Sequence, residues 1–408
     1  MSTKCGINLR GIEYKVAETL SYMIHSQHIW NQKGDKMADT AEFLVQAESL
    51  TNFCIQVFEN VGVPQEDACI TAKVLVMADL RGIEGHGVAR LRRYVNGLRS
   101  GMMVAKPVVK VVRETPATAL IDAGAGLGQP VSYRAMQKAI QKAKEAGAGF
   151  VTVCNSNHYG IAGYYAMMAL PHDCIGMSMT NADVLVVPTF ARDAMLGTNP
   201  IAVAAPADKE RPFVLDMATS TVTRGELEVY ERLGKPLPMG WATDERGVGT
   251  EDAHKVLENL RKRAGGGLLP LGGEGELLSG YKGYGLALWV DVFCGILSGA
   301  AYATSVYPKT TGGKPLPANL GHFFGAWNVD SFRPINEFKT AMDDLQRQMK
   351  GAPKAEGQYR IYIHGEKEFE KSELYARQGI PLNPKVAADL RIIAREVGVR
   401  YDPFGHTF

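Results

Sequence analysis

The chain has 408 residues, with 45 Lys plus Arg against 43 Asp plus Glu and a formal charge of +2. That balance argues against a chain built mainly to grip nucleic-acid phosphates or an anionic membrane surface. At 46% apolar and 22% charged residues it is too apolar for wholesale disorder, and it is long enough for two or three domains.

Residues 1–36 mix weak helical periodicity with His, Gln and Asn, and read as an appendage to a chain whose natural start is Met37. Behind it, Phe43, Ala47, Leu50, Cys54, Val57 and Val61 alternate spacings of four and three, which predicts one helix face. After Pro64, a second helix over 66–81 is expected, with acidic residues in its first turn where the helix dipole favours them. Residues 81–101 form a glycine-punctuated polar stretch carrying Glu84, His86, Arg90, Arg92 and Arg93. Strands are expected at 108–112 and 118–121, flanking a Pro turn. The middle third then alternates in an α/β rhythm. A helix opens near Ser132 and stops at Gly147, and a strand follows at 150–154. After it come a helix at 162–170, strands at 175–180, 201–205 and 213–216, and helices at 226–233, 252–263 and 284–297. The tail predicts a strand at 322–329, a helix at 334–349, an alternating strand at 359–364 and two final helices.

The expected architecture is an α/β fold in two parts. Residues 122–329 would form one domain, and 37–121 with 330–408 a helical domain built from both chain ends. Six scattered cysteines with no C-x-x-C pair do not suggest a zinc ribbon or a secreted disulfide scaffold. No secretory h-region is visible, and the apolar run 286–303 is broken by glycine and carries Asp291, so a buried helix is expected there. A cytoplasmic protein is expected.

Several segments could carry chemistry. Gly124-Ala-Gly-Leu-Gly128 lies between a strand and a helix, but Gln129 stands where G-x-G-x-x-G needs its third glycine. No Walker A sequence occurs, so a Rossmann reading fails. In 82–90, His86 could exchange a proton near neutral pH, and Arg90 could clamp a carboxylate through two parallel hydrogen bonds. Oxidation of a 2-hydroxy acid needs that combination; a solvated, Gly-rich helix start fits the same residues. Asn155-Ser-Asn-His158-Tyr159-Gly160 sits at a strand-to-helix junction, where backbone N–H groups meet anions, and where an Asx turn is equally at home. Thr198-Asn-Pro200, Asp216-Met217-Ala218-Thr219 and Arg224-Gly225 fall near expected strand ends, where ligands sit in α/β sheets. His86, His158, Asp183 and Asp216 have no metal-ligand spacing, so no metal is expected.

Taken together, Ala78-Asp-Leu-Arg-Gly-Ile-Glu-Gly-His-Gly-Val-Ala-Arg90, Asn155-Ser-Asn-His-Tyr-Gly160, Gly197-Thr-Asn-Pro200, Asp216-Met-Ala218, Gly280-Tyr-Lys-Gly-Tyr-Gly-Leu-Ala287 and Gly321-His-Phe-Phe324 resemble the type-2 malate/L-lactate dehydrogenase family, closest to its malate/lactate branch. The resemblance runs from about Met37 into the C-terminal region. It implies an NAD-dependent oxidoreductase (NADP being the other coenzyme of the family) with a non-Rossmann cofactor domain, acting as a homodimer on a small 2-hydroxy or 2-oxo acid. Carried over by motif, it makes His86 the proton donor and acceptor, with His158 its rival and Asp183 a group that could orient His158. It makes Arg90, Thr198, Arg224 and Gly225 substrate-side residues. It makes His158, Tyr159, Gly160, Ala182, Asp216, Met217, Ala218, Gly321, His322 and Phe323 cofactor-side residues. Many members carry Ser just before the first histidine, and here Gly85 stands there. Either another group such as Glu84 orients His86, or His158 does the proton chemistry. A metal-dependent hydrolase or lyase of a small acid, or a silent dinucleotide-binding relative, are the alternatives.

Overall fold

Both ends of the described chain meet in one helical layer. The structure, a computed structural model, describes residues 43–308, 316–400 and 402–404; the expected appendage and the expected start at Met37 lie outside them. Strand β1 (Phe43–Val45) leads into α1 (Ala47–Asn60), which turns Leu50, Phe53, Cys54, Val57 and Phe58 inward, the face expected from the four-three spacing. Helix α2 (Gln65–Leu80) starts after Pro64 with Glu66 and Asp67 in its first turn and is buried on most sides. Two 3-10 turns, Glu84–His86 and Val88–Arg90, then feed α3 (Leu91–Ser100). This helix was hidden in the polar stretch because only Leu91, Tyr94, Val95 and Gly97 are buried in it, and arginines cover the rest.

The chain next lays down β2 (Lys110–Glu114), β3 (Thr118–Asp122), α4 (Gly128–Ala146), β4 (Ala148–Ser156), α5 (Ala162–Met167), β5 (Cys174–Thr180), β6 (Ile201–Ala205) and β7 (Phe213–Met217). It continues through α6 (Arg224–Leu233), β8 (Ala242–Thr243), α7 (Ala253–Lys262), β9 (Gly267–Leu268), α8 (Gly280–Asp291) and β10 (Leu320–Asn328). The tail holds α9 (Ile335–Gly351), α10 (Glu366–Gln378), β11 (Ile380–Leu382) and α11 (Pro384–Val397).

Seven strands form one sheet in the order β2-β3-β4-β10-β5-β6-β7. Only β3 and β4 run parallel; every other neighbouring pair is antiparallel. A Rossmann sheet is built from successive parallel βαβ units, so the sheet agrees with the failed fingerprint. The latest of these strands, β10, lies at the centre between β4 and β5. The sheet also takes in β2 and β3, so it begins upstream of the expected boundary at 122. One core cluster joins Leu50, Phe53, Val57, Leu75, Leu91 and Tyr94 to Ile380, Leu390 and Ile393, and β1 pairs antiparallel with β11. Residues from the two chain ends therefore share one core. A second core lies between the sheet and α4 and α5, with Val151, Val153, Tyr165 and Phe324 among its members.

Two expectations need correction. Residues 359–363 form no strand. Their alternation records one half-covered side, Ile361 and Ile363 between exposed Arg360, Tyr362 and His364, and one bond from Val214 N–H to His364 O ties the segment to the edge of β7. The helix expected at 284–297 begins at Gly280, and after Asp291 its last turn widens into a π turn at Val292–Ile296. Among the described residues, no helix is long and apolar enough to cross a membrane.

Candidate active site

The glycine cluster 124–128 has a structural use. Asn157 Nδ2 donates to Ala125 O (3.0 Å) and Gly126 O (2.8 Å), tying the start of α4 to the turn after β4. A Cβ on Gly128 would stand 2.2 Å from Asn157 O, so only glycine permits this approach. The turn thus clamped carries His158. Its Nδ1 lies 2.6 Å from the Tyr94 hydroxyl on α3, while Nε2 bonds no protein group among the described residues. The His158 ring stacks on His86, with centroids 5.7 Å and planes 17° apart.

Arg90 closes the second 3-10 turn. Its Nε donates to Gly85 O (2.6 Å), which fixes the guanidinium and leaves both terminal nitrogens unengaged among the described residues. One helical turn on, Arg93 donates to the Tyr307 hydroxyl and lies over its ring at 5.3 Å. Burial, then Arg90 and Arg93, pulls the His86 imidazole down to about 4. Burial, then Arg93, His86 and Arg90, pushes His158 well below its ordinary value. Both rings are therefore neutral at pH 7 and able to accept a proton. An anion that pairs with the arginines would offset this field and make the imidazolium easier to form.

The remaining expected residues fall into three groups. Arg224, at the start of α6, pairs with Glu228 (3.0 Å), and both charges act on Arg90; Gly225 follows it in the same turn. Asp183 acts on the charges of Arg93 and Tyr307, but its own partners are Val184 N–H (2.9 Å) and Arg263 (3.8 Å). The place beside His158 that Asp183 was expected to fill belongs to Tyr94. Thr198 O accepts from Thr219, and Ala182 N–H donates to Asn199 Oδ1 at 3.1 Å, so both belong to one hydrogen-bonded loop layer.

Tyr159, His322 and Phe323 turn their side chains into the core. His322 bonds Thr180 Oγ1 (2.7 Å) and Ser156 Oγ (2.8 Å) with its two nitrogens and stacks on Tyr159 at 4.7 Å. Gly321 N–H bonds Asn181 Oδ1 (3.0 Å), and a Cβ on Gly321 would stand 1.6 Å from Cys294 O. Gly160 is likewise buried, with its φ in the left-handed region.

Asp216 and Met217 end the edge strand β7, and Ala218 follows it. Asp216 Oδ2 accepts Gly163 N–H (2.7 Å), and the carboxyl opens on a cavity of about 270 Å³ lined also by Arg81, Ile83, Tyr362, His364, Lys367 and Glu368. Desolvation by the surrounding protein pushes this carboxyl up to about 6. Arg81 is 4% exposed and lies over the Phe369 ring at 4.9 Å; its guanidinium has no hydrogen-bond or ion-pair partner among the described residues. Glu368 and Asp216 favour its charge through space, but a buried cation without a direct partner is still costly.

The sequence profile of the malate/L-lactate dehydrogenase family matches residues 45–391. The chain belongs to that family. It is 49% identical over 356 residues to malate dehydrogenase of Pyrococcus abyssi, covering 87% of this chain and 95% of the relative. It is 38% identical over 361 residues to L-sulfolactate dehydrogenase of Methanocaldococcus jannaschii, covering 88% and 99%. The structure of malate dehydrogenase from Pyrococcus horikoshii superimposes with a TM-score of 0.80 at 46% identity, covering 89% of this chain and 98% of that one.

Among the described residues of this family member, no group of three or more His, Cys, Asp and Glu side chains converges as a metal site would require. Sequence reasoning missed Tyr94, Arg93, Tyr307 and Arg81. The first two were recoverable, since positions 90, 93 and 94 share a face once α3 is recognised as a helix. Arg81 lies in the motif 78–90, but no pattern there assigns it a role, and Tyr307 carries no local signal.

Proposed function

We propose that this family member interconverts a small 2-hydroxy acid and its 2-oxo acid with NAD or NADP, and that L-malate and oxaloacetate are its preferred pair, with L-lactate and pyruvate a weaker one. The observation that carries the reading is the neutral His158, held by Tyr94, stacked on His86 and set beside two arginines. Arg90 would bind the carboxylate next to the reacting carbon through its two unengaged nitrogens. Nε2 of His158 would take the hydroxyl proton in the oxidative direction and return it to the carbonyl oxygen in reduction. Its Nδ1–H would then donate to the Tyr94 oxygen, which keeps the imidazolium paired. His86, stacked on it, would help exclude water and define the pocket wall. Malate is favoured over lactate because a second cation, Arg93, stands ready for a second acid group.

The buried, unmatched Arg81 guanidinium and the cavity before it fit an anionic, hydroxyl-rich portion of a dinucleotide. Arg81 and Lys367 would meet phosphate, and Asp216 would accept from ribose hydroxyls. Ile83 lines this cavity, and His86 follows it in the same turn, which links the two sites. The coenzyme these residues would hold would supply or accept the hydride at its nicotinamide ring. We also infer a cytoplasmic homodimer, a reading supported by the relatives' metabolic chemistry and by exposed apolar side chains on β2 (Val111 and Val112) and along α8 and its π turn (Leu288, Val292 and Ile296). The test is loss of NADH or NADPH absorbance with oxaloacetate, pyruvate and sulfopyruvate. Oxaloacetate should be reduced with the highest kcat/KM. Dinucleotide binding without turnover of any of the three would overturn the reading.

A further inference from the structure

The segment that carries His86 and Arg90 is two short 3-10 turns joined at Gly87, with few bonds of its own: His86 N–H to Ile83 O (3.0 Å), Gly87 N–H to Glu84 O (3.2 Å) and Arg90 N–H to Gly87 O (2.9 Å). So short a stretch of 3-10 structure does not hold its shape unaided. One side chain grips it from below. Asp79, in the last turn of α2, is 2% exposed, and its Oδ2 accepts Val88 N–H at 2.8 Å. A Cβ on Gly87 would lie 1.9 Å from Asp79 Oδ1 and 2.2 Å from its Cγ, so the carboxyl rests directly against the Gly87 backbone. The main-chain oxygen of the same aspartate accepts Gly82 N–H at 2.9 Å, at the other end of the turn. Asp79 therefore holds both the point where the chain leaves α2 and the junction between the two 3-10 turns. A buried carboxyl is an expensive way to fill a core position, and burial with the neighbouring Glu84 charge opposes its ionisation even as the Val88 bond favours it. An apolar residue would serve packing alone at least as well.

We propose that Asp79 is the positioning residue of this active site: it sets the register of Gly87 and Val88, and through them the placement of the His86 ring and the Arg90 guanidinium. The inference rests on the dehydrogenase reading above. Asp79 acts through these residues and exchanges no proton with substrate.

The test combines Asp79→Ala, Asp79→Asn, Gly87→Ala and Arg90→Ala in the full chain, with kcat and KM for oxaloacetate and, separately, the NADH dissociation constant by fluorescence. Asp79→Ala should lower kcat/KM by about 10- to 100-fold, largely as a rise in KM, with NADH affinity held within about twofold, as expected when a binding group is displaced by about an ångström. Asp79→Asn retains an oxygen acceptor for Val88 N–H and should recover activity to within about threefold of the parent. Gly87→Ala, which drives a methyl into the carboxyl, should reproduce the Asp79→Ala pattern and serves if that variant fails to fold. In an Arg90→Ala background the effect of Asp79→Ala should shrink by at least about fivefold, since residues acting as a unit are non-additive. Full additivity alongside a damaging Arg90→Ala, or an equal loss in Asp79→Asn, overturns the inference. An Arg90→Ala enzyme with parental kinetics instead overturns the dehydrogenase reading of the site, a separate and recognisable failure.

Discussion

His158 and His322 both sit in sequence motifs of the family, at the same end of the antiparallel neighbours β4 and β10, and the fold treats them in opposite ways. His322 is fully buried, with one nitrogen on Thr180, the other on Ser156 and its ring flat against Tyr159. Nothing is left over for a ligand. His158 has one nitrogen on Tyr94, the other unengaged among the described residues, and its ring against His86 within reach of two arginine charges. The difference teaches that a histidine's chemistry lies in the valence its neighbours leave open rather than in the motif around it.

That contrast can be broken or sharpened by five variants. The largest effect should come from His158→Ala, which removes the proton-transferring group and should lower kcat by about 10²- to 10⁴-fold in steady-state assays with oxaloacetate. His86→Ala, beside it, should lose less in kcat than in KM; the reverse ranking would hand the acid–base role to His86. Next, Arg90→Ala should cut kcat/KM by about 10²-fold, from a lost charge-assisted clamp worth about 1.5–3 kcal/mol together with lost orientation. Parental values would remove Arg90 from the site. His322→Ala should act on stability: it opens a core cavity and takes from the buried Ser156 hydroxyl its partner, while Thr180 keeps Asn181 O and Gly321 O, at a cost of about 2–4 kcal/mol read from the urea unfolding midpoint. Its kinetic constants per folded molecule should change far less than those of His158→Ala, and an equal kinetic loss would show that the core histidine is not merely structural. The smallest effect is a shift in pH dependence. Arg93 disfavours the imidazolium of both His86 and His158, so Arg93→Ala should raise their pKa values. Because hydroxy-acid oxidation needs the neutral ring, its acid limb should move up by about half a pH unit to one unit. A fixed or downward limb would show that Arg93 does not act on the catalytic ring.

Much of this was readable along the chain. The inward face of α1, the acidic start of α2 and most strands of the middle third follow from period and capping alone. The missing third glycine at Gln129 argued against a Rossmann turn, and the sheet has a single parallel pair. The misses share a cause. Helix α3 looked like surface because Arg92 and Arg99 pair with carboxylates of α11 while Arg93 turns toward the site, and 359–364 looked like a strand because its half-buried Ile361 and Ile363 alternate with exposed residues. Asp183 was a reasonable partner for His158 by proximity to a motif, yet Tyr94, distant in sequence, reaches the ring first.

By itself, then, the sequence determined most of the local elements, the absence of a Rossmann turn and the residue types available for acid–base and carboxylate chemistry, because these depend on neighbours a few positions apart. Only the tertiary structure decided which histidine keeps a free nitrogen, which arginine is left unmatched before a cavity and which buried aspartate grips the turn between His86 and Arg90. Each of those outcomes depends on burial and on partners brought from remote parts of the chain, and burial is what turns an ordinary side chain into a shifted, oriented or unsatisfied one.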